Sequence, residues 1–167
     1  MTDDDPLGRL WSPWRSEYIG QAGSDDGGCI FCDNLAAGDD REAGVLFRGE
    51  RVFVMLNAFP YNSGHVMVAP HRHAGELTEL ESSERAELMD ATSRSVDVIR
   101  EAMKPDGFNV GINLGKVAGA SVPGHVHVHV VPRWGGDTNF MPVVGATKVL
   151  PEMLADTDAK LRPGFST

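Results

Sequence analysis

Apolar and polar positions alternate in several short stretches of this chain and recur with a helical period in one long stretch. Val45–Arg48 and Val52–Leu56 read as strands joined at the turn Gly49-Glu50. Residues 65–70 (HVMVAP), 108–113 (FNVGIN) and 125–132 (HVHVHVVP) read as three more. Over residues 83–103, Met89, Thr92, Val96, Ile99 and Met103 recur at spacings of three and four, which predicts a helix with one largely apolar face. Pro105 and Gly107 end it. Pro151 suits the first turn of a short C-terminal helix. Five short strands with one long helix and one short one predict an α+β domain, an antiparallel sheet packed by helices.

The chain has 167 residues, the size of one domain with its own core. Residues 1–28 read as an N-terminal arm, with an aromatic, proline-punctuated segment at 9–15 (RLWSPWR) and a polar, glycine-rich loop at 23–28. Residues 29–167 form the single domain. A formal net charge of −9 argues against nucleic-acid partners and against an anionic membrane surface. No apolar run is long enough to span a bilayer. The first ten residues (MTDDDPLGRL) lack the layout of a secretory signal, so a cytoplasmic protein is expected. The acidic residues cluster at Asp3 to Asp5, Asp25, Asp26, Asp39, Asp40 and from Glu76 to Glu87. Lys116, Arg133 and Lys148 accompany the later histidines, which allows a locally cationic pocket for a small anion.

All six histidines fall in two clusters: His65, His71 and His73, then His125, His127 and His129. Residues two apart on a strand share a face, so the last three point one way and Val126, Val128 and Val130 the other. The valines suit a core. Three imidazoles in a row do not: charged they repel, and buried neutral each needs a hydrogen-bond partner. Metal binding is one use for such a row. Phosphate chemistry is the other, since imidazole attacks phosphorus well at neutral pH and its ordinary pKa is about 6.5. Glycine-rich connections at 61–64 and 115–124 would let the backbone approach a phosphate. The only cysteines, Cys29 and Cys32, have the spacing of half a zinc site or of a redox pair. A redox pair would want a thioredoxin-like βαβ context, which is absent here.

Residues 124–131 (GHVHVHVV) resemble the signature of the histidine triad (HIT) superfamily. Leu56-Asn57 and residues 62–68 (NSGHVMV) look like its nucleoside-binding region, and the resemblance covers roughly residues 29–134. It implies a HIT-like fold. It also implies that the middle histidine, His127, is a nucleophile that forms a histidine–nucleoside-monophosphate intermediate. His125 and His129 would orient it and contact phosphate, His65 would join that network, and Asn57 would hold the ribose. The Cys-Ile-Phe-Cys resembles that of many bacterial members, where it binds zinc. The resemblance implies a structural Zn2+ on Cys29, Cys32, His73 and His125, with His71 as the rival to His73.

Residues 9–15, 107–115 (GFNVGINLG) and 131–140 (VPRWGGDTNF) look like one branch of the family, the actinobacterial diadenosine tetraphosphate phosphorylases. That likeness implies Asn113, Gly119 and Ser121 at a phosphate site and Trp134 near the bound nucleotide. Ala120 stands where that pattern has glycine, and the pattern lacks the Cys-Ile-Phe-Cys. The implied reaction releases ATP, leaves AMP on His127, and passes it to inorganic phosphate as ADP. With water as acceptor the same residues make a hydrolase. A purine phosphoramidase, a sugar-1-phosphate nucleotidyltransferase with His129 in place of its glutamine, and a nucleotide sensor are the other readings. Triad proteins usually pair, so a homodimer is expected.

Overall fold

The computed structural model describes residues 28–138 and 150–166. The expected arm lies outside them apart from Gly28. Five strands form one antiparallel sheet: β1 (Val45–Arg48), β2 (Val52–Leu56), β3 (Val66–Pro70), β4 (Gly107–Ile112) and β5 (Val128–Arg133). Their order across the sheet is β1-β2-β3-β5-β4, so the chain leaves β3, reaches the far edge as β4, and returns as β5 between them. Three helices accompany the sheet: α1 (Ile30–Ala36), α2 (Ser82–Met103) and α3 (Leu154–Phe165). The architecture is the α+β arrangement read from the sequence.

Strand alternation divides the apolar side chains between two faces. Val52, Val54, Val66, Val68, Val126, Val128 and Val130 pack on one face with Leu88, Ala91 and Ile99 of α2 and Leu161 and Phe165 of α3. Each such side chain contributes about 1.5–3 kcal/mol when fully buried, so this face anchors the fold. Phe53, Met55, Met67 and Ala69 lie on the other face, with Phe31 of α1. The histidines of the 125–129 segment alternate with the valines and therefore belong to the α1 side. Everything chemical in the molecule follows from that parity.

Several boundaries differ from the sequence reading. The segment His125 to His127 lies outside the strand, which begins at Val128. A tight turn precedes it, and its amides go elsewhere: His125 N–H donates to Val122 O at 3.3 Å and Val126 N–H to Ala74 O at 2.7 Å. The long helix starts at Ser82, where Glu81 and Glu84 form a reciprocal capping box. Its buried side is Leu88, Ala91, Thr92, Ser95 and Ile99, whereas Met89 is 54% exposed. Thr92 and Ser95 can be buried because their hydroxyls donate to Leu88 O and Ala91 O, both at 2.7 Å. Strand β4 runs Gly107–Ile112, one residue earlier than read. Pro151 precedes α3, which starts at Leu154 and holds Pro163 in its last turn. The sequence reading had no counterpart of α1.

Candidate active site

Burial and backbone geometry prepare His127. Its ring is 2% exposed, and burial pushes its pKa below the ordinary value. Burial therefore favours the neutral imidazole. Its Nδ1 lies 2.8 Å from the carbonyl oxygen of His125. A carbonyl only accepts, so Nδ1 carries the proton and Nε2 keeps its lone pair. A neutral imidazole held in this tautomer is what nucleophilic attack on phosphorus requires.

His65 and His129 form a second pair beside it. The Tyr61 N–H donates to His65 Nδ1 at 3.0 Å, so the proton of the neutral His65 ring sits on Nε2. That nitrogen lies 3.0 Å from His129 Nδ1 and donates to it. In the neutral His129 ring the remaining proton is then on Nε2. The relay thus turns a backbone amide into a directed N–H on a ring 4.7 Å, centroid to centroid, from that of His127. The Tyr61 ring lies over both members, 4.7 Å from His65 and 5.6 Å from His129. Gly64 lets the 61–65 loop turn this tightly: its φ is +78°, and a Cβ there would meet Met103 Sδ at 2.7 Å.

His125 holds a different position from the one expected of a phosphate contact. Its Nε2–H donates to Pro70 O at 2.9 Å, and its Nδ1 faces Cys29 Sγ at 3.2 Å and Cys32 Sγ at 3.6 Å. Both ring nitrogens are engaged there, so the atom it gives His127 is its backbone carbonyl. The fourth donor of the group is His73, whose Nδ1 is 3.4 Å from Cys32 Sγ. The ligand atoms of Cys29, Cys32, His73 and His125 all lie within 4.8 Å of one another, so they could hold a metal ion. Tetrahedral zinc with two sulfurs and two nitrogens has S···N edges of about 3.5 Å, close to these spacings. The Pro70 bond fits too, because a ligating imidazole donates its other N–H to a fixed acceptor. His71 does not join the group: its ring faces Phe53 at 6.0 Å, and its Nε2 is buried without a hydrogen-bond partner among the described residues.

The remaining predicted residues fall in three places. Asn57 ends β2 beside His65. Its Oδ1 accepts from Phe59 N–H at 2.9 Å, and its Nδ2 is 3.4 Å from His65 Nδ1. Its chain neighbours Leu56 and Ala58 line a cavity of about 480 Å³ together with Ile30 and Asn34 of α1, Arg41, and Leu154 and Asp158 of α3. Gly111 of β4 is paired with His129 and Ile112 with Val128, where the ladder ends, and Asn113 follows β4 directly. Beyond it Gly115 (φ +78°) and Gly119 (φ +92°) bracket a single 3-10 turn, with Ser121 half-buried after it. Ala120 is buried with φ outside the left-handed region, so alanine fits where a glycine was the pattern.

Trp134 goes elsewhere. It follows β5, five residues past His129 at about 3.4 Å each. There it lines a second cavity, of about 590 Å³, with Asn62, Ser63, Met103 and Lys160. Of the expected cations, Arg133 is tied to Asp137 at 2.6 Å and to Asn109 at 2.7 Å, which leaves Lys116 on the exposed turn. The Arg133 guanidinium holds the Asp137 carboxyl far below the usual carboxylate range. Lys148 lies outside the described residues. Sequence reasoning missed Phe31, Tyr61 and the Pro70 carbonyl. A phenylalanine between two candidate ligands was the one available signal.

Comparison with known proteins agrees with this geometry. Residues 39–136 match the HIT domain family. A relative from Mycobacterium tuberculosis named AP-4-A phosphorylase is 45% identical over 159 residues, spanning 92% of this chain and 82% of the relative. A Zn-bound histidine triad family protein from Mycobacterium smegmatis superposes with a TM-score of 0.65 at 26% identity, covering 83% of this chain and 93% of that one. A hypothetical histidine triad nucleotide-binding protein from Sulfolobus tokodaii gives 0.66 at 26% identity, covering 83% and 92%. With its row of imidazoles set on the α1 face of a five-stranded sheet, the chain belongs to the histidine triad family.

Proposed function

We propose that this protein is a diadenosine tetraphosphate phosphorylase acting through a covalent His127–AMP intermediate. The observation that carries the reading is the Nδ1–H of His127 held by the His125 carbonyl, which leaves Nε2 as the attacking atom. Nε2 attacks an α-phosphorus, the bond to the bridging oxygen breaks, and ATP leaves. An oxygen of inorganic phosphate then attacks the same phosphorus, the N–P bond breaks, and ADP forms. The Nε2–H of His129 stabilises charge on the non-bridging oxygens in both steps. The 45% identity to the M. tuberculosis AP-4-A phosphorylase supports this substrate and this acceptor.

The adenine occupies the cavity lined by α1 and the end of β2, and Asn57, whose chain neighbours Leu56 and Ala58 line it, holds the ribose. Asn113, Gly119 and Ser121 border the phosphate. Cys29, Cys32, His73 and His125 hold a zinc ion. With four protein ligands its coordination is closed, so it supplies a crosslink between α1 and the histidine segment. The edge strand β4 exposes Val110 (46%), with Leu114 (40%) just beyond it, which supports pairing with a second copy as a homodimer. The protein acts in the cytoplasm, where thiols stay reduced and free to ligate metal; no helix among the described residues is long and apolar enough to cross a membrane.

Product analysis tests the reading. Enzyme and diadenosine tetraphosphate, with millimolar phosphate, should yield ADP and ATP in equal amounts. AMP and ATP at a ratio indifferent to phosphate would make the protein a hydrolase instead.

A further inference from the structure

Phe31 sits between the two cysteines and is 1% exposed. It packs on Phe53, as a core residue of α1 would, with ring centroids 6.4 Å apart. It also touches the two chemically distinct histidines of the segment. Its centroid is 5.0 Å from that of His125 at 43° and 4.6 Å from that of His127 at 37°. The same His125 has Nδ1 at the cysteine sulfurs, Nε2–H on Pro70 O, and its backbone carbonyl on His127 Nδ1. Two routes therefore join the cysteine–histidine cluster to the nucleophile. One is the His125 main chain, a single hydrogen bond long. The other is the Phe31 ring, whose helix is preceded by Cys29 at its N-cap and contains Cys32.

We propose that Phe31 is a positioning residue for His127, and that the cysteine–histidine cluster and the nucleophile form one mechanical unit through Phe31 and His125. The inference rests on the reading of His127 as nucleophile and of the cluster as a metal site. A ring such as His127 can rotate about its last side-chain bond. Rotation carries Nδ1 off the carbonyl and puts Cδ2–H in its place, so the tautomer is no longer held and Nε2 leaves the phosphorus. The carbonyl opposes that rotation from one side and the Phe31 face from another. Phe31 is held by its packing on Phe53 and His125 by the Pro70 carbonyl, and a metal on Cys29, Cys32, His73 and His125 would tie the two restraints to each other.

The test uses full-length protein labelled with 15N-histidine, zinc-loaded and zinc-stripped, at one fixed neutral pH. Long-range 1H–15N correlation reads the His127 tautomer without any turnover. Zinc-loaded wild type should show the Nδ1–H form alone; stripped protein should show both tautomers. Phe31→Ala should retain one equivalent of zinc by elemental analysis yet show mixed tautomers. Its kcat on diadenosine tetraphosphate should fall roughly ten- to a hundredfold with KM within about twofold, as expected of a misplaced reacting group. Phe31→Leu keeps apolar bulk without the flat face; it should fold and lie between the two, and it carries the test if the alanine variant does not fold. A His127 spectrum unchanged by zinc removal, or a zinc-bound Phe31 variant with wild-type tautomer and kcat, would overturn the proposal. Failure of wild type to consume the dinucleotide would instead strike the functional reading, and the tautomer measurement would still stand.

Discussion

The two halves of the imidazole row are built by opposite means. On one side His125 and His127 are held by main-chain carbonyls, those of Pro70 and His125, and roofed by Phe31 from a helix. On the other, His65 and His129 bond to each other and to a loop amide, and are roofed by Tyr61, which is 40% exposed. The first half fixes tautomers through acceptors that cannot change role. The second starts from a backbone amide that can only donate and passes its direction through two rings. A nucleophile gains from the first arrangement, because attack needs one atom in one place. A group that meets phosphoryl oxygens as charge builds on them gains from the second, because the chain ends in an N–H free to point at them.

Substitutions should separate the halves. The largest effect is expected at His127: His127→Ala should lower turnover by at least about a thousandfold while nucleotide binding, measured calorimetrically, persists. Turnover within tenfold of wild type would remove His127 from the chemistry. Next comes the metal. Cys32→Ser should abolish stoichiometric zinc and lower the melting temperature by at least about 5 °C, since it opens the crosslink to α1. An unchanged melting curve would mean that the cluster holds nothing. On the loop side, His65→Ala should cost roughly ten- to a hundredfold in kcat and leave zinc content and melting temperature near wild type. Equal losses of stability from Cys32→Ser and His65→Ala would erase the contrast between the halves. The smallest effect is expected at Ser121→Ala, which should raise the phosphate concentration needed for half-maximal rate severalfold with nucleotide KM unchanged.

What could be read in the sequence was whatever depends on periodicity. The β1 and β2 boundaries come out as Val45–Arg48 and Val52–Leu56 because branched and aromatic residues flank a clear turn. The placement of the 125–129 histidines opposite the valines follows from strand parity alone, even though His125 and His127 lie before β5 begins. Helix α1 was not legible: seven residues give too few turns for a period, and two of its apolar members, Ile30 and Phe31, stand inside what reads as a ligand motif. The role of His125 was beyond reach for another reason. Whether an imidazole meets a phosphate or a pair of sulfurs depends on where residues 29, 32 and 70 come to rest. Trp134 is a similar case, since a motif spacing does not say to which cavity a residue after a strand end turns.

The central claim is that AMP passes through Nε2 of His127, and an acid-labile bond can be caught before it breaks. Enzyme mixed with excess diadenosine tetraphosphate in phosphate-free buffer is quenched into alkali within a turnover and analysed by intact mass and peptide mapping. The account predicts one AMP adduct per chain on the peptide carrying His127, absent in His127→Ala, and discharged to ADP when phosphate is added before the quench. No adduct under turnover, or an adduct that survives in His127→Ala, would contradict it.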